Sequence, residues 1–159
     1  MVGRIYRRIK TICFKVLFPK FMSAVLYEVP RVYYKSRLKL GEKVHINDCV
    51  FINAVGGVTI GDYSVLSHGV TIVSTGLDTT RWIGRIEDED NHINKPIIIG
   101  DNVWVGANVT ICAGVNIAKD SIIAAGAVVN KNLDVPGALY AGVPAKLIKR
   151  LDKCITLEQ

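Results

Sequence analysis

His45, His68 and His92 are the side chains of this 159-residue chain best suited to take a proton near neutral pH. They lie 23 and 24 residues apart, so no close pair is available to clamp a metal within a three-histidine set. The four cysteines, Cys13, Cys49, Cys112 and Cys154, show no CxxC spacing, which indicates neither a zinc site nor a disulfide framework. Cys49 and Cys112 fit the role of small buried thiols. The chemistry that remains is proton abstraction by one imidazole, with no metal required. Such a base works best when a carboxylate or amide holds its far ring nitrogen. His92 ends a polar run from Thr75 to Lys95, TGLDTTRWIGRIEDEDNHINK, that also holds Arg81, Trp82, Arg85 and the acidic stretch 87–90.

The elements that must position these residues follow from a period of six. Leu40, Ile46 and Ile52, then Ile60, Leu66 and Ile72, then Ile99, Val105, Ile111, Ile117, Ile123 and Val129 form an apolar comb. Four residues after nearly every tooth stands a small or β-branched residue, among them Val44, Val50, Ser64, Val70, Val103, Val109, Val115, Ser121 and Ala127. Six matches neither the 3.6 of a helix nor an indefinitely continued period of two, but it suits a chain that turns a corner every six residues. Three flat edges close a triangular coil of about eighteen residues, so the pattern predicts a parallel β-helix. Gly56-Gly57 interrupts the comb briefly, and residues 75–95 interrupt it at length. A polar excursion of that size in a compact solenoid points to function.

Charge divides the chain. Residues 1–40 carry ten Lys or Arg against one acid, a net +9, while residues 41–159 carry ten against thirteen, a net −3. Ile5, Ile9, Ile12 and Val16 repeat at helical spacing among Arg4, Arg7, Arg8, Lys10 and Lys15, and Pro19 and Pro30 divide the segment into short helical pieces. This basic amphipathic module, residues 1–39, is expected to cap the open end of the coil with its apolar stripe, and contact with an anionic membrane surface is compatible with that role. The β-helix is expected over 40–151, ending in a helix, with a tail at 152–159. No run is apolar enough to span a membrane, and the N-terminal charges do not suit a secretory signal, so a cytoplasmic protein is expected. Aromatic and basic residues do not alternate along a predicted sheet face, which disfavours nucleic acid.

Residues 95–151, KPIIIGDNVWVGANVTICAGVNIAKDSIIAAGAVVNKNLDVPGALYAGVPAKLIKRL, resemble the C-terminal half of the hexapeptide-repeat acyltransferases, and most closely the maltose, galactoside and polysaccharide O-acetyltransferase branch. The segments PIIIGDNVWVGAN, AAGAVV and AGVPAKLIKR carry the similarity. The resemblance implies a left-handed β-helix, a homotrimer with sites between coils of neighbouring subunits, and acetyl-coenzyme A as the donor. It implies that the pantetheine arm lies along Trp104, Ala107, Ala125 and Gly126, with Asn130, Lys131, Lys146 and Lys149 toward the adenosine phosphates. In sugar-acetylating relatives a catalytic His follows a Thr-Gly pair at the start of the loop, whereas here Leu77 follows Thr75-Gly76. Serine acetyltransferases place a His late in the corresponding loop, which directs the role to His92. By the resemblance Asn47 matches a family active-site Asn, and it or the adjacent Asp48 is a candidate to orient the base, Asn47 fitting equally a corner residue that bonds within the coil. Asp48, Arg81 and Trp82 are candidate acceptor contacts, the tryptophan either stacking on a sugar ring or pinning the loop.

The expected activity is therefore transfer of an acetyl group to a sugar hydroxyl, in surface polysaccharide or glycan synthesis, by His general-base catalysis in a ternary complex. The competing readings are a non-catalytic trimeric β-helix scaffold or binding module and a serine-acetyltransferase-like enzyme. A β-helical carbonic anhydrase lacks its near histidine pair, and a sugar nucleotidyltransferase lacks room for its nucleotide domain.

Overall fold

A computed structural model describes residues 2–80 and 91–152. The comb becomes the inside of a three-sided parallel coil. The first face is built from Val25–Leu26, His45–Ile46, Val65–Leu66, Trp104–Val105, Ile122–Ile123 and Ala138–Ala141. Arg31–Tyr33, Phe51–Asn53, Thr71–Val73, Thr110–Ile111 and Val128–Val129 make the second. Leu38–Leu40, Val58–Ile60, Ile97–Ile99 and Asn116–Ile117 make the third, which Leu133 extends by a bridge to Ile117. Every stacked pair among these is parallel, with Ile46 over Leu66, Ile52 over Ile72 and Ile60 beside Ile99.

Teeth of the comb from Ile46 to Val129 are at most 1% accessible, and Leu40 packs against them partly buried. Each buried aliphatic side chain contributes about 1.5–3 kcal/mol. Val44, Val50, Ser64, Val70, Val103, Val109, Val115, Ser121 and Ala127, each four past a tooth, are buried as well, so they too line the interior. Two corner serines inside the coil are paired: Ser64 Oγ donates to Gly100 O at 2.9 Å and accepts from Val103 N–H at 3.0 Å, and Ser121 Oγ donates to Ala118 O at 2.6 Å.

Three sequence expectations change. The coil begins at Val25, not Leu40, because Leu26, Val32 and Leu38 already keep the six-residue step and pair with Ile46, Ile52 and Val58. The N-terminal segment holds one helix, α1 (Val2–Leu17), followed by short 3-10 turns at Pro19–Phe21 and Lys35–Arg37. Its apolar stripe does not pack on the coil. Phe14 and Phe21 join the core instead, with Phe14 4.9 Å from both Phe18 and Phe21, and Ile5, Ile9, Ile12 and Val16 stay exposed. Lastly, the C-terminal element is a strand and not a helix: Lys146–Arg150 pairs antiparallel with Ala138–Ala141, covering an edge that would otherwise present unpaired backbone groups. No described helix is long and apolar enough to cross a membrane.

Candidate active site

The long excursion leaves the coil between the second and third faces. Its root is closed by Lys95 N–H donating to Ser74 O at 3.0 Å, so the chain departs and returns at one point. Gly56 lies directly beneath. A Cβ there would stand 2.4 Å from Ser74 O and 2.8 Å from Lys95 N and O, which explains a glycine in the short Gly56-Gly57 interruption. Ser74, fully buried, fixes the root from inside: its Oγ accepts from Gly56 N–H and donates to Asn53 O, both at 2.8 Å.

Above the root the excursion continues as a two-stranded antiparallel stem, Thr75–Leu77 with His92–Asn94. Asp78 N–H donates to Asn91 O at 2.7 Å to close its far end, and Asp78 Oδ1 accepts from both Thr80 N–H and Thr80 Oγ. His92 is registered directly opposite Leu77. Residues facing each other in an antiparallel pair project from the same side of the ribbon, with Cβ atoms about 4.5–5.5 Å apart. Both side chains are exposed. Beside His92, the side-chain Nδ2 of Asn91 is buried with no hydrogen-bond partner among the described residues. Arg81, Trp82, Arg85 and the acidic stretch 87–90 lie outside the described residues.

A second cluster occupies the corner between the first and second faces, where Asp48-Cys49 of one coil lies under His68-Gly69 of the next, joined by Gly69 N–H to Asp48 O at 3.2 Å. Asp48 Oδ1 lies 3.1 Å from His68 Nδ1. That hydrogen bond chiefly holds the Asp48 carboxyl below its usual value, against a smaller opposing effect of burial, and Arg7 adds a minor pull in the same direction. The contact engages the Nδ1 side of the His68 ring, whose side chain is exposed. Cys49 Sγ completes a trio of donor atoms within 4.8 Å of one another, a nitrogen, sulfur and oxygen set of the type that suits zinc. Cys49 is exposed, contrary to its expected burial, while Cys112 is half-buried and burial raises its thiol pKa.

Asn47 stands at this same corner, and its Nδ2 donates to Leu66 O at 3.1 Å, a bond that ties successive coils together. Within one chain Asn47 and His92 therefore belong to different edges of the prism, and the partner Asp48 takes is His68. The expected donor residues divide likewise. Ala107, Ala125 and Gly126 stack on the Asp48–His68 edge, linked by Gly126 N–H to Ala107 O at 2.8 Å. Gly126 has φ +72° and open space where a Cβ would stand, so no side chain covers the surface of this edge there. Trp104, exposed on the first face, donates from its indole N–H to Ser67 Oγ at 3.1 Å, next to His68. Lys146 pairs with Ala141 and Lys149 with Leu139 in the C-terminal hairpin, where Tyr140 continues the ladder from Ile123. Asn130 and Lys131, both exposed, follow Val129 on the excursion edge.

Sequence reading missed three participants, Gly56, Ser74 and the Asp48–His68 contact. The coil length reveals the last: the two-residue interruption makes this turn twenty residues long, so Asp48 stacks under His68 as Ile46 stacks under Leu66.

The fold, its buried comb and its long excursion define a β-helix built on six-residue repeats, and residues 96–131 match the family described as bacterial transferase hexapeptide, six repeats. The relatives that this chain is similar to are named acetyltransferases or putative acetyltransferases. It is 34% identical over 125 residues to the galactoside O-acetyltransferase of Escherichia coli, a match covering 77% of this chain and 60% of that protein. A maltose O-acetyltransferase from Clostridium difficile superposes with TM-score 0.72 at 26% identity, over 82% of this chain and 67% of that one. A hexapeptide-repeat acetyltransferase of Vibrio cholerae complexed with acetyl-coenzyme A superposes with TM-score 0.72 at 27% identity, over 82% and 72%. The chain spans about three fifths of the E. coli relative's length.

Proposed function

We propose that this chain is an acetyl-coenzyme A-dependent O-acetyltransferase that acts as a homotrimer on a sugar hydroxyl of a polysaccharide or glycan precursor. The observation that carries the proposal is the rung shared by His92 and Leu77. The relatives that the sequence resembles place their base after Thr-Gly, and His92 presents an imidazole on the same side of the same stem, one strand spacing away.

His92 takes the proton of the acceptor hydroxyl as its oxygen attacks the thioester carbonyl. A backbone N–H at a coil corner receives the developing oxyanion, and collapse of the tetrahedral species expels the thiolate of coenzyme A, which recovers the proton from the imidazolium. No acyl-enzyme forms on a cysteine. The column Ala107, Ala125 and Gly126 holds the pantetheine arm, with Trp104 at its flank and Lys146 and Lys149 toward the phosphates, while Lys131, on the excursion edge, reaches them from a neighbouring subunit. Because His92 and this column lie on different edges of one chain, the base and the donor groove that meet in one site come from different subunits of the trimer.

Loss of thioester from acetyl-coenzyme A in the presence of glycan acceptors, measured for the native chain and for His92→Ala, tests this. The expected result is turnover by the native chain and a fall of about 10²–10⁴-fold in the variant, with donor binding retained. Donor binding without turnover by any acceptor would leave a binding module.

A second assignment of the base rests on the Asp48–His68 contact of 3.1 Å, which gives His68 the orienting carboxylate that a general base uses. It also stands on the edge that carries Ala107 and Gly126. In that case His68→Ala, not His92→Ala, abolishes turnover.

A further inference from the structure

Helix α1 (Val2–Leu17) turns two unlike faces to two unlike surroundings. Thr11 and Phe14 are buried against the coil, and Phe14 meets Phe18 and Phe21 there. At 100° per residue, Ile5, Ile9, Ile12 and Val16 fall together on the opposite side. They are 54%, 54%, 61% and 68% exposed. Arg8 is exposed at the edge of this row, while Arg7 and Lys10, also exposed, stand toward the coil, where Arg7 acts on Asp48. Single exposed aliphatics are ordinary on a protein surface, whereas a continuous row of four at helical spacing marks a contact face.

We propose that this face docks α1 flat on an anionic membrane surface, the isoleucines entering at the headgroup boundary with Arg8 at the edge of the row, and the basic N-terminal segment as a whole drawn to the lipid phosphates. Charge selects that occupant. The first forty residues carry a net +9, so a second copy would bring the same sign to the same face, while an anionic lipid surface supplies both hydrocarbon for the stripe and negative charge for its flanks. A helix of 16 residues is about 24 Å long and lies in the interface without crossing it. Docking of this kind holds the coil beside lipid-linked acceptors. It does not depend on the acetyl-transfer activity, since neither donor nor acceptor takes part in lipid binding.

The test is cosedimentation of the full chain with vesicles of phosphatidylcholine alone and of phosphatidylcholine with an equal part of phosphatidylglycerol, at low and high salt. The expected result is binding to the anionic vesicles only, weakened by salt, and reduced at least tenfold in Ile9→Glu/Ile12→Glu. Both positions are exposed, so the variant should keep the native melting temperature and hydrodynamic size. Binding that is absent, equal on neutral vesicles, or unchanged in the variant overturns the proposal. A shift in oligomeric state in the variant without vesicle binding assigns the face to self-association, and recovery of an acidic protein in place of lipid assigns it to a protein partner; either result overturns it as well.

Discussion

His92 and Leu77 occupy one rung of the antiparallel stem that rises from the coil between its second and third faces. The rung makes the two positions interchangeable in reach: a side chain from either strand emerges on the same side of the ribbon. Leu77→His in a His92→Ala background should therefore restore activity at least tenfold over His92→Ala alone, in the same thioester assay. No recovery would mean that the stem's side-chain position does not define the base.

The loop root predicts a stability effect. A Cβ at Gly56 would collide with Ser74 O and Lys95, and all of these atoms are backbone. Gly56→Ala should destabilise the chain by about 1–3 kcal/mol, seen as a lower midpoint in urea. Ser74→Ala removes an acceptor for Gly56 N–H inside the root and should cost about 1–3 kcal/mol as well, with turnover falling more than donor affinity. Native stability in both variants would show that the excursion is held elsewhere.

The donor column predicts a split between binding and turnover. Gly126 adopts φ +72° over open space, so Gly126→Val adds about 1–2 kcal/mol of backbone strain and places a branched side chain in the groove. The KM for acetyl-coenzyme A should rise at least tenfold while kcat changes little. An unchanged KM would remove the pantetheine arm from this edge.

The Asp48 carboxyl titrates below its ordinary value because His68 donates to it. A folded value below the unfolded one, about 3.9, gives stability that is present above the unfolded value and is lost as pH falls through the folded value. The pair is exposed, so its worth is about 0–1 kcal/mol. Asp48→Asn should lower the melting temperature by at most about 4 °C at neutral pH. The difference should vanish in acid below the folded value. A difference that persists there would assign Asp48 a role other than its charge.

The coil was legible in the sequence because its signal is simple: an aliphatic tooth every six residues, and those from Ile46 to Val129 are buried. The excursion was legible as the place where the teeth stop. Leu26, Val32 and Leu38 carried the same step, but Arg31, Tyr33 and Tyr34 around them and the adjoining basic helix masked it. The C-terminal strand escaped because Lys-Leu-Ile-Lys-Arg has too few residues to separate a period of two from one of 3.6. The stripe of α1 was visible as a stripe, yet amphipathicity does not say which face meets the protein, and here Phe14 and Thr11 do. The rung of His92 with Leu77 needed the pairing register, which depends on how a fifteen-residue separation folds back and not on any local preference.

The most direct test of the account compares initial rates of acetyl-coenzyme A consumption for the native chain, His92→Ala and His68→Ala, with one acceptor that the native chain acetylates. The account predicts that His92→Ala loses about 10²-fold or more in kcat while His68→Ala stays within about threefold of native. Full activity in His92→Ala with loss in His68→Ala would contradict it and move the base to the Asp48–His68 edge.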